Sequence, residues 1–210
     1  MREKWIVEAK KGDFNGLSAK LKVSPLAVRC LMNRGVESEQ EMRSFLYGTL
    51  DDLHDPFTMK GMNEAVQEIV QAREQGRKVA IASDFDCDGI FSAYILWKGF
   101  QRIGLDSEIF TPDRVKEGYG LNRRIVDEAL AGGRDFLVTC DNGIAANEEV
   151  DYAKKLGMTV IVTDHHEVQE QMPAADVVLD PKRDDETYPF HGLCCPSLSL
   201  WRYRLRVLRL

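Results

Sequence analysis

Long apolar runs, export signals and paired cysteines are all missing from this chain of 210 residues. No stretch approaches the ~18 apolar residues of a membrane-spanning helix, so none is expected. The first residues, Met1 to Trp5, lead into a mixed charged stretch without the apolar core of a secretory signal. The five cysteines are odd in number and form no C-x-x-C pair, which argues against a disulfide framework or cysteine-bound zinc. These absences predict a protein of the reducing cytoplasm that has no membrane partner.

Acidic residues are absent from the end of the chain. The whole sequence has 28 Lys and Arg against 34 Asp and Glu, a net charge of −6. No acidic residue follows Glu186, and the last nine residues contain the four arginines Arg202, Arg204, Arg206 and Arg209. Without those four, 24 basic residues face 34 acidic ones, a balance of −10. So acidic a body argues against bulk coating of nucleic acid, but it allows a local site where metal ions offset carboxylates.

Residues 1–60 and 61–193 differ in hydrophobic pattern. In the first range apolar residues recur at helical spacing, and Ser38 with Glu41 marks a helix start, which predicts a small helical N-terminal segment. In the second range short apolar runs alternate with helical patterns, as in parallel sheets covered on both faces. Strands are expected at 79–82, 108–110, 136–139, 160–162 and 177–179, and helices at 62–74, 92–99, 123–130 and 147–156. The predicted fold is α/β, with a five-stranded, mostly parallel sheet and helices on both faces.

Acidic and histidine side chains follow three of the expected strands. They are Asp84, Asp86 and Asp88 after the first strand, Asp141 after the third, and Asp164, His165 and His166 after the fourth. Because ligands bind where the carboxyl ends of parallel strands meet, these side chains should converge. Burial of so many like charges costs free energy unless cations lie among them. Oxygen-rich ligands with one or two imidazoles favour Mg²⁺ or Mn²⁺ over zinc.

The segment Asp-Phe-Asp-Cys-Asp-Gly at residues 84–89 has other interpretations. If the strand continues through it, its carboxylates point the same way and Gly89 allows a tight turn into the next helix. The same pattern opens a calcium-binding EF-hand loop, but the twelfth position is Ile95 instead of Glu, and a strand precedes the segment. Each strand end taken alone also fits a solvated turn or a helix cap. The three together favour a functional site.

The order of the motifs resembles the DHH phosphoesterase superfamily, which is named for the triplet seen here at residues 164–166. Within it, the likeness is greatest to the family of RecJ-type single-stranded-DNA-specific exonucleases, and it covers roughly residues 30–193. The motifs are Arg34-Gly35-Val36, Phe45-Leu46, Leu53 to Phe57, Asp84 to Gly89, Pro112-Asp113-Arg114, Glu117 to Asn122, Asp141 to Ile144, Val162 to Glu167, Pro181-Lys182-Arg183 and Tyr188-Pro189-Phe190. The superfamily's pyrophosphatases and small-nucleotide phosphodiesterases share mainly the acid and histidine motifs.

The resemblance implies a phosphodiesterase with two Mn²⁺ or Mg²⁺ ions that releases nucleotides from the 5′ end of single-stranded DNA, in DNA repair and recombination. Carried over by position, the metal ligands are Asp86, Asp88, Asp141, which bridges the ions, and His165. The implied catalytic residues are Asp84 and Asp164, which support the metal ligands, and His166, which faces the scissile phosphate. The substrate is bordered by Arg114, Gly118, Tyr119, Gly120 and Asn142. The expected protein is a monomer.

The chain departs from the resemblance at two places. Ser83 stands where the family usually has glycine before the acid motif. After Cys194 the family's glycine-rich helix start, fourth acidic motif and second domain do not follow. Residues 194–210 are therefore expected to be an atypical basic tail outside the family fold, produced by an out-of-frame extension. A competing interpretation is a basic amphipathic tail that binds membrane or nucleic acid.

Three functional hypotheses remain open from the sequence. The leading one is a fragment of a RecJ-type exonuclease with reduced or no activity, because a metal ligand and half of the DNA groove are missing. The second is a non-catalytic module that binds metal or a partner protein. The third is a phosphodiesterase that acts on short oligonucleotides or signalling dinucleotides, since an open site accepts small substrates.

Overall fold

The computed structural model describes residues 10–49 and 54–188 of the chain. Within these residues no helix is both long enough and apolar enough to cross a membrane. The chain divides into two compact units, residues 1–53 and 54–210. The domain boundaries drawn from the sequence, after residue 60 and after residue 193, stay predictions, and the second lies outside the described residues.

The first unit is helical, as the sequence predicted. Among residues 10–49, its helices are α1 (Phe14–Leu21), α2 (Pro25–Asn33) and α3 (Glu39–Tyr47). The expected capping box is present at the start of α3, where the Ser38 hydroxyl accepts from the Glu41 N–H and the Glu41 carboxylate accepts from the Ser38 N–H. The buried side chains that hold the unit together are Leu21, Val28, Leu31, Met32 and Met42.

The second unit alternates strands and helices. Its elements, after a single 3₁₀ turn at Pro56–Thr58, are α4 (Met62–Glu74), β1 (Val79–Ser83), α5 (Cys87–Arg102), β2 (Ser107–Phe110), α6 (Arg123–Ala131), β3 (Phe136–Cys140), α7 (Asn147–Lys155), β4 (Thr159–Thr163) and β5 (Val177–Leu179). The predicted helix over residues 62–74 and the predicted strand over 177–179 match the observed bounds. The other elements differ from the predicted bounds by at most one residue at either end, except α5, which begins five residues earlier and ends three residues later.

The five strands form one sheet in the order β2-β1-β3-β4-β5, and all four neighbouring pairs are parallel. The predicted α/β class and strand count are therefore confirmed, and the described sheet is wholly parallel. Since every strand runs the same way, all five carboxyl ends lie at one edge of the sheet. This edge is the one to which the sequence assigned its candidate residues.

The sheet is covered on both faces, because each central strand alternates its side chains between two apolar clusters. Val79 and Ile81 of β1 contribute to a cluster with residues of α4 and α5. Ala80 and Ala82 contribute to the opposite cluster, with residues of α6 and α7. Every residue of β1 and β3 is buried. Burial of an Ile or Phe side chain stabilises a fold by about 1.5–3 kcal/mol, so the central strands fix the edge from which the acids project.

The start of α5 differs from the sequence expectation. The helix was predicted to begin at residue 92, but it begins at Cys87, and β1 ends at Ser83. The Asp86 carboxylate causes this early start, because its Oδ1 accepts from the N–H groups of Asp88 (2.9 Å) and Gly89 (3.1 Å) and so caps the helix. The strand therefore does not continue through the acid motif, and its carboxylates do not share one strand face.

Gly89 has a different function from the tight turn that the sequence suggested. It lies inside α5, and a Cβ atom added there would be 2.3 Å from the Asp84 carbonyl oxygen. Only a residue without a side chain lets the first turn of α5 approach the end of β1 so closely.

Candidate metal centre

Four neighbouring strands are each followed by an aspartate at the same register position. The pairs Ser83 with Cys140, Cys140 with Thr163 and Thr163 with Leu179 are the last in their ladders. The next residues are Asp84, Asp141, Asp164 and Asp180, all of them buried. The ladder continues into this row, because the Asp141 N–H donates to the Thr163 carbonyl and the Asp164 N–H to the Leu179 carbonyl. The parallel sheet thus lines up carboxylates along its edge.

The first candidate metal group consists of Asp84, Asp86 and Asp141, whose carboxylate oxygens lie within 4.8 Å of one another. Asp84 is 1% exposed, and neither of its oxygens has a well-formed hydrogen-bond partner. Burial raises the pKa of Asp84, and the charge of Asp86 adds to that rise. Unpartnered buried carboxylates are costly, and a divalent cation bound by these oxygens would remove the cost.

The second candidate group consists of Asp141, Asp164, His165 and His166, with ligand atoms again within 4.8 Å. The His165 Nε2 lies 2.8 Å from the Asp141 Oδ1, and the ring centroids of the two histidines are 4.6 Å apart. Burial lowers the pKa of His165, and the charge of His166 lowers it further. The lowered pKa favours the neutral ring of the predicted metal ligand His165, and the neutral ring is the form of imidazole that binds metals.

Asp141 belongs to both groups. Its backbone has a φ of 61°, in the left-handed region that few residues other than glycine adopt. Burial, followed by the charge of Asp86, raises the pKa of Asp141 to about 7. This shared position is the one that the predicted bridging role of Asp141 would use, and that role stays a prediction.

Asp164 has a different environment, since both of its oxygens are satisfied by the protein. Oδ1 accepts from the N–H groups of His165 (2.7 Å) and His166 (3.2 Å) and lies 2.7 Å from the His166 Nδ1. Oδ2 accepts from the Ile144 N–H at 2.9 Å, which ties this loop to the one after β3. Burial lowers the pKa of His166, but the hydrogen bond and charge of Asp164 outweigh it, so the pKa lies above its ordinary value.

Asp88 lies outside both groups of the described residues. It is half-buried in the first turn of α5. Its charge is still close enough to add to the rise in the pKa of Asp141, after burial and Asp86. The sequence assigned Asp88 a metal, and that assignment stays a prediction.

Tyr119 and Arg114, assigned to the substrate, lie beside these groups. The Tyr119 hydroxyl is 3.1 Å from the His166 Nε2, and its side chain is 57% exposed. The Arg114 guanidinium lies 5.0 Å from the centre of the ring of Phe85, the residue between Asp84 and Asp86 in the sequence. Both side chains are therefore exposed next to the candidate metal groups, where a substrate phosphate could reach them.

In the structure, the remaining substrate candidates either adopt special backbone angles or hydrogen-bond to backbone carbonyls. Gly118 and Gly120 have φ values of 83° and 81°, which glycine adopts most readily, and no side-chain contact crowds Gly118. Asn142 is buried, and its amide donates to the carbonyls of Ala82 (3.2 Å) and Cys140 (3.0 Å), which joins β1 to β3. Their proposed contacts with substrate stay predictions.

Sequence reasoning missed Asp180. It is 0% exposed, its Oδ1 accepts from the Lys182 N–H at 2.8 Å, and its Oδ2 has no hydrogen-bond partner. Burial raises its pKa to about 6, with the charge of Asp164 acting in the same direction. The clue was present in the sequence, because the last strand also ends in an aspartate.

The sequence model for the DHH family, N-terminal domain, matches residues 78–199, more than half of the chain. A single-stranded-DNA-specific exonuclease RecJ from Bacillus subtilis is 37% identical over 191 residues, which is 90% of this chain and 24% of that protein. Its Escherichia coli counterpart is 34% identical over 179 residues, 84% of this chain and 30% of that protein. The chain spans about a quarter to a third of the length of these relatives.

Solved structures resemble the described fold. A crystal structure of exonuclease RecJ bound to manganese has a TM-score of 0.62 and 31% identity, over 70% of this chain and 39% of that one. RecJ from Thermus thermophilus in complex with Mn²⁺ has a TM-score of 0.67 and 26% identity, over 92% of this chain and 27% of that one. Because the DHH family model matches residues 78–199, this chain belongs to the DHH family.

Proposed function

We propose that this chain is part of a RecJ-type exonuclease, in which it hydrolyses phosphodiester bonds from the 5′ end of single-stranded DNA, with Mn²⁺ or Mg²⁺, in DNA repair and recombination. The observation that carries the proposal is the place of Asp141, which is shared by two adjoining groups of potential metal ligands. A shared carboxylate is what a centre of two neighbouring cations requires. The similarity to RecJ exonucleases over most of the chain supports the substrate class.

The residues fit such a centre. Carboxylate oxygens and an imidazole nitrogen suit Mn²⁺ and Mg²⁺, and the unpartnered oxygens of Asp84 mark a place that the protein's own donors do not satisfy. Asp86, Asp88, Asp141 and His165 would hold the ions, with Asp84 behind them. Bound ions would activate a water molecule and stabilise charge on the leaving oxygen.

The other side chains orient and bind the substrate. Asp164 holds the His166 Nδ1 at 2.7 Å and keeps the ring protonated at higher pH than usual, so the ring can donate a hydrogen bond to a phosphate oxygen. The exposed Tyr119 hydroxyl, beside His166, adds a second donor. Arg114 is placed to contact a neighbouring phosphate through its guanidinium.

The test is Mn²⁺-dependent cleavage of a short 5′-phosphorylated oligonucleotide by the purified chain, compared with Asp141→Ala. The exposed Asp151 of α7 supplies a matched control, Asp151→Ala. Cleavage that is lost in Asp141→Ala and kept in the control supports the proposal. Metal binding without cleavage in the intact chain would favour the non-catalytic module. Equal cleavage in both variants would contradict the assigned centre.

Substrate length separates the remaining alternatives. Because the chain spans less than a third of these two relatives, we expect weak or absent degradation of long single strands. Assays with a long strand, a short oligonucleotide and a signalling dinucleotide would show which is cleaved fastest. A rate on long DNA typical of whole RecJ enzymes would contradict the expected loss, and preference for the dinucleotide would contradict the exonuclease assignment.

The proposal also includes a monomer that works in the cytoplasm. Light scattering during gel filtration would test the monomer, and a mass of twice 23.8 kDa would contradict it. Fractionation of cells that express the chain would test the compartment.

A further inference from the structure

A basic residue follows each outer strand of the sheet. Arg114 lies in the segment after β2 and Lys182 in the segment after β5, and these two strands are the edges of the sheet. Four strand spacings separate them, roughly 19 Å. The acids and histidines of the candidate metal centre follow the three strands in between. The acids and histidines of the candidate metal centre therefore lie between two outer segments that carry basic residues.

Lys182 is held by a buried anchor. The Asp180 carboxylate, which is 0% exposed, accepts from the Lys182 N–H at 2.8 Å. Arg183 fixes the other side of this turn, because its guanidinium donates to the Val178 carbonyl at 2.7 Å. The backbone at Lys182 is thus tied to the end of β5 from two sides, and the lysine side chain extends from a fixed position.

The Lys182 ammonium lies next to the histidine loop. Its Nζ is 2.8 Å from the Oε1 of Glu167, the residue directly after His166. The charge also reaches both rings: burial and the charge of His166 lower the pKa of His165, and Lys182 acts in the same direction. For His166, Lys182 opposes the rise in pKa that Asp164 causes.

The partner of Lys182 is easily replaced. The Glu167 side chain is 83% exposed, and the lysine side chain is 31% exposed. Ion pairs at such exposed positions contribute little to stability, because water screens them. A phosphate oxygen of a bound strand can therefore take the place of Glu167 without a large loss of free energy.

We propose that Lys182 is a phosphate-binding residue at the β5 end of the site, opposite Arg114, and that Asp180 is the positioning residue that holds it. The ligand is the backbone phosphate of a single strand that lies across the sheet edge. The inference rests on the proposed function and deepens it, since it predicts that the bound strand lies along the sheet edge between the ends of β2 and β5.

The test is equilibrium binding of a 5′-phosphorylated single-stranded oligonucleotide with a cleavage-resistant phosphorothioate backbone, in Mn²⁺, between 50 and 200 mM salt. Lys182→Gln should weaken binding about fivefold and reduce the slope of log affinity against log salt by about 0.7, the value for one lost single-strand phosphate contact. Lys182→Arg should restore both. Lys155→Gln, which removes an exposed lysine at the far end of α7, should change neither.

Three further variants sharpen the result. Glu167→Gln removes the competing carboxylate, so binding should become about twofold tighter, an opposite sign that a merely structural role for this turn would not produce. Asp180→Ala should weaken binding as Lys182→Gln does, whereas Asp180→Asn, which keeps an acceptor oxygen, should retain most of it. If Asp180→Ala does not fold, the variants at residue 182 still decide.

Failure of the inference differs from failure of the proposed function. If the intact chain binds the oligonucleotide but Lys182→Gln has wild-type affinity and salt slope, Lys182 is not a phosphate contact and the inference is wrong. If the intact chain neither binds nor cleaves the oligonucleotide, the proposed function itself is wrong and the inference falls with it.

Discussion

The two groups of side chains that share Asp141 are built from the same chemistry but differ in how their oxygens are partnered. The buried carboxylate of Asp84 has no well-formed hydrogen bond. The buried carboxylate of Asp164 accepts from three backbone N–H groups and contacts the His166 ring. The carboxylate of Asp84 lacks such well-formed hydrogen bonds, whereas the carboxylate of Asp164 is used by the fold to hold the histidines. Burial alone therefore does not tell a metal ligand from a structural acid.

The largest effect is expected from a substitution of Asp141, because this residue belongs to both groups. Asp141→Asn removes one negative charge from the residue that the groups share, so we expect cleavage of the short oligonucleotide to fall about 1000-fold. Steady-state kinetics in Mn²⁺ measure this loss, with Asp151→Asn as the control. A loss of less than about tenfold would mean that Asp141 does not bridge the ions.

The next effect concerns Asp164, whose carboxylate oxygens accept hydrogen bonds from the protein. Asp164→Ala leaves the N–H groups of Ile144, His165 and His166 without their acceptor, so the fold should lose about 3 kcal/mol. Thermal unfolding in a chelator should show a melting temperature lower by roughly 10 °C. An unchanged melting temperature would show that the hydrogen bonds of Asp164 do not support the loop.

The pH dependence of stability tests the shared residue. The pKa of Asp141 in the folded protein, about 7, lies above its unfolded value of 3.8, so the folded state binds the extra proton between these values. Without metal, the contribution of this group to stability should therefore be fully present below about pH 4 and be lost as the pH rises through 7, with a fall of roughly 3 kcal/mol between pH 5 and pH 8. Urea unfolding at pH 5 and 8 measures the fall, and Asp141→Asn should make it smaller. Identical slopes for the two proteins would contradict the assignment.

The smallest effect should have the opposite sign from that of Asp164. Asp84→Asn removes a buried charge that the backbone N–H groups of Phe85 and Gly120 compensate only in part, so the metal-free protein should become more stable by about 1 kcal/mol. The same variant should gain less stability from added Mn²⁺ than wild type does. Thermal unfolding with and without Mn²⁺ shows both changes. Destabilisation in the chelator would mean that Asp84 is partnered like Asp164.

The fold could be predicted well because its strands are short, apolar runs. The runs around Ile81, Val138 and Ile161 are buried on both faces, so their periodicity leaves little alternative to a parallel sheet. The sheet then fixes where the acids lie. The start of α5 could not be predicted in the same way, because the apolar pattern begins only after the helix has been capped by Asp86.

The site was only partly predictable, because a residue type does not show which way its atoms face. Asn142 looks like a substrate ligand in the sequence, yet its amide joins two strands. Asp88 carries the same alternation as Asp86, yet it belongs to the first turn of a helix. Asp180 lacked a histidine or glycine neighbour to draw attention to it. These three outcomes depend on side-chain direction, which only tertiary structure determines.

The contact at Gly89 has a consequence for how this motif can vary. A side chain there would collide with the main chain of Asp84, 2.3 Å away, which directly follows the buried strand β1 and has little room to move aside. Any replacement must therefore push the first turn of α5, and with it Asp86 and Asp88, away from Asp84 and Asp141. Substitution at residue 89 is therefore limited by a steric clash with the main chain, and no reactive side chain takes part in that clash.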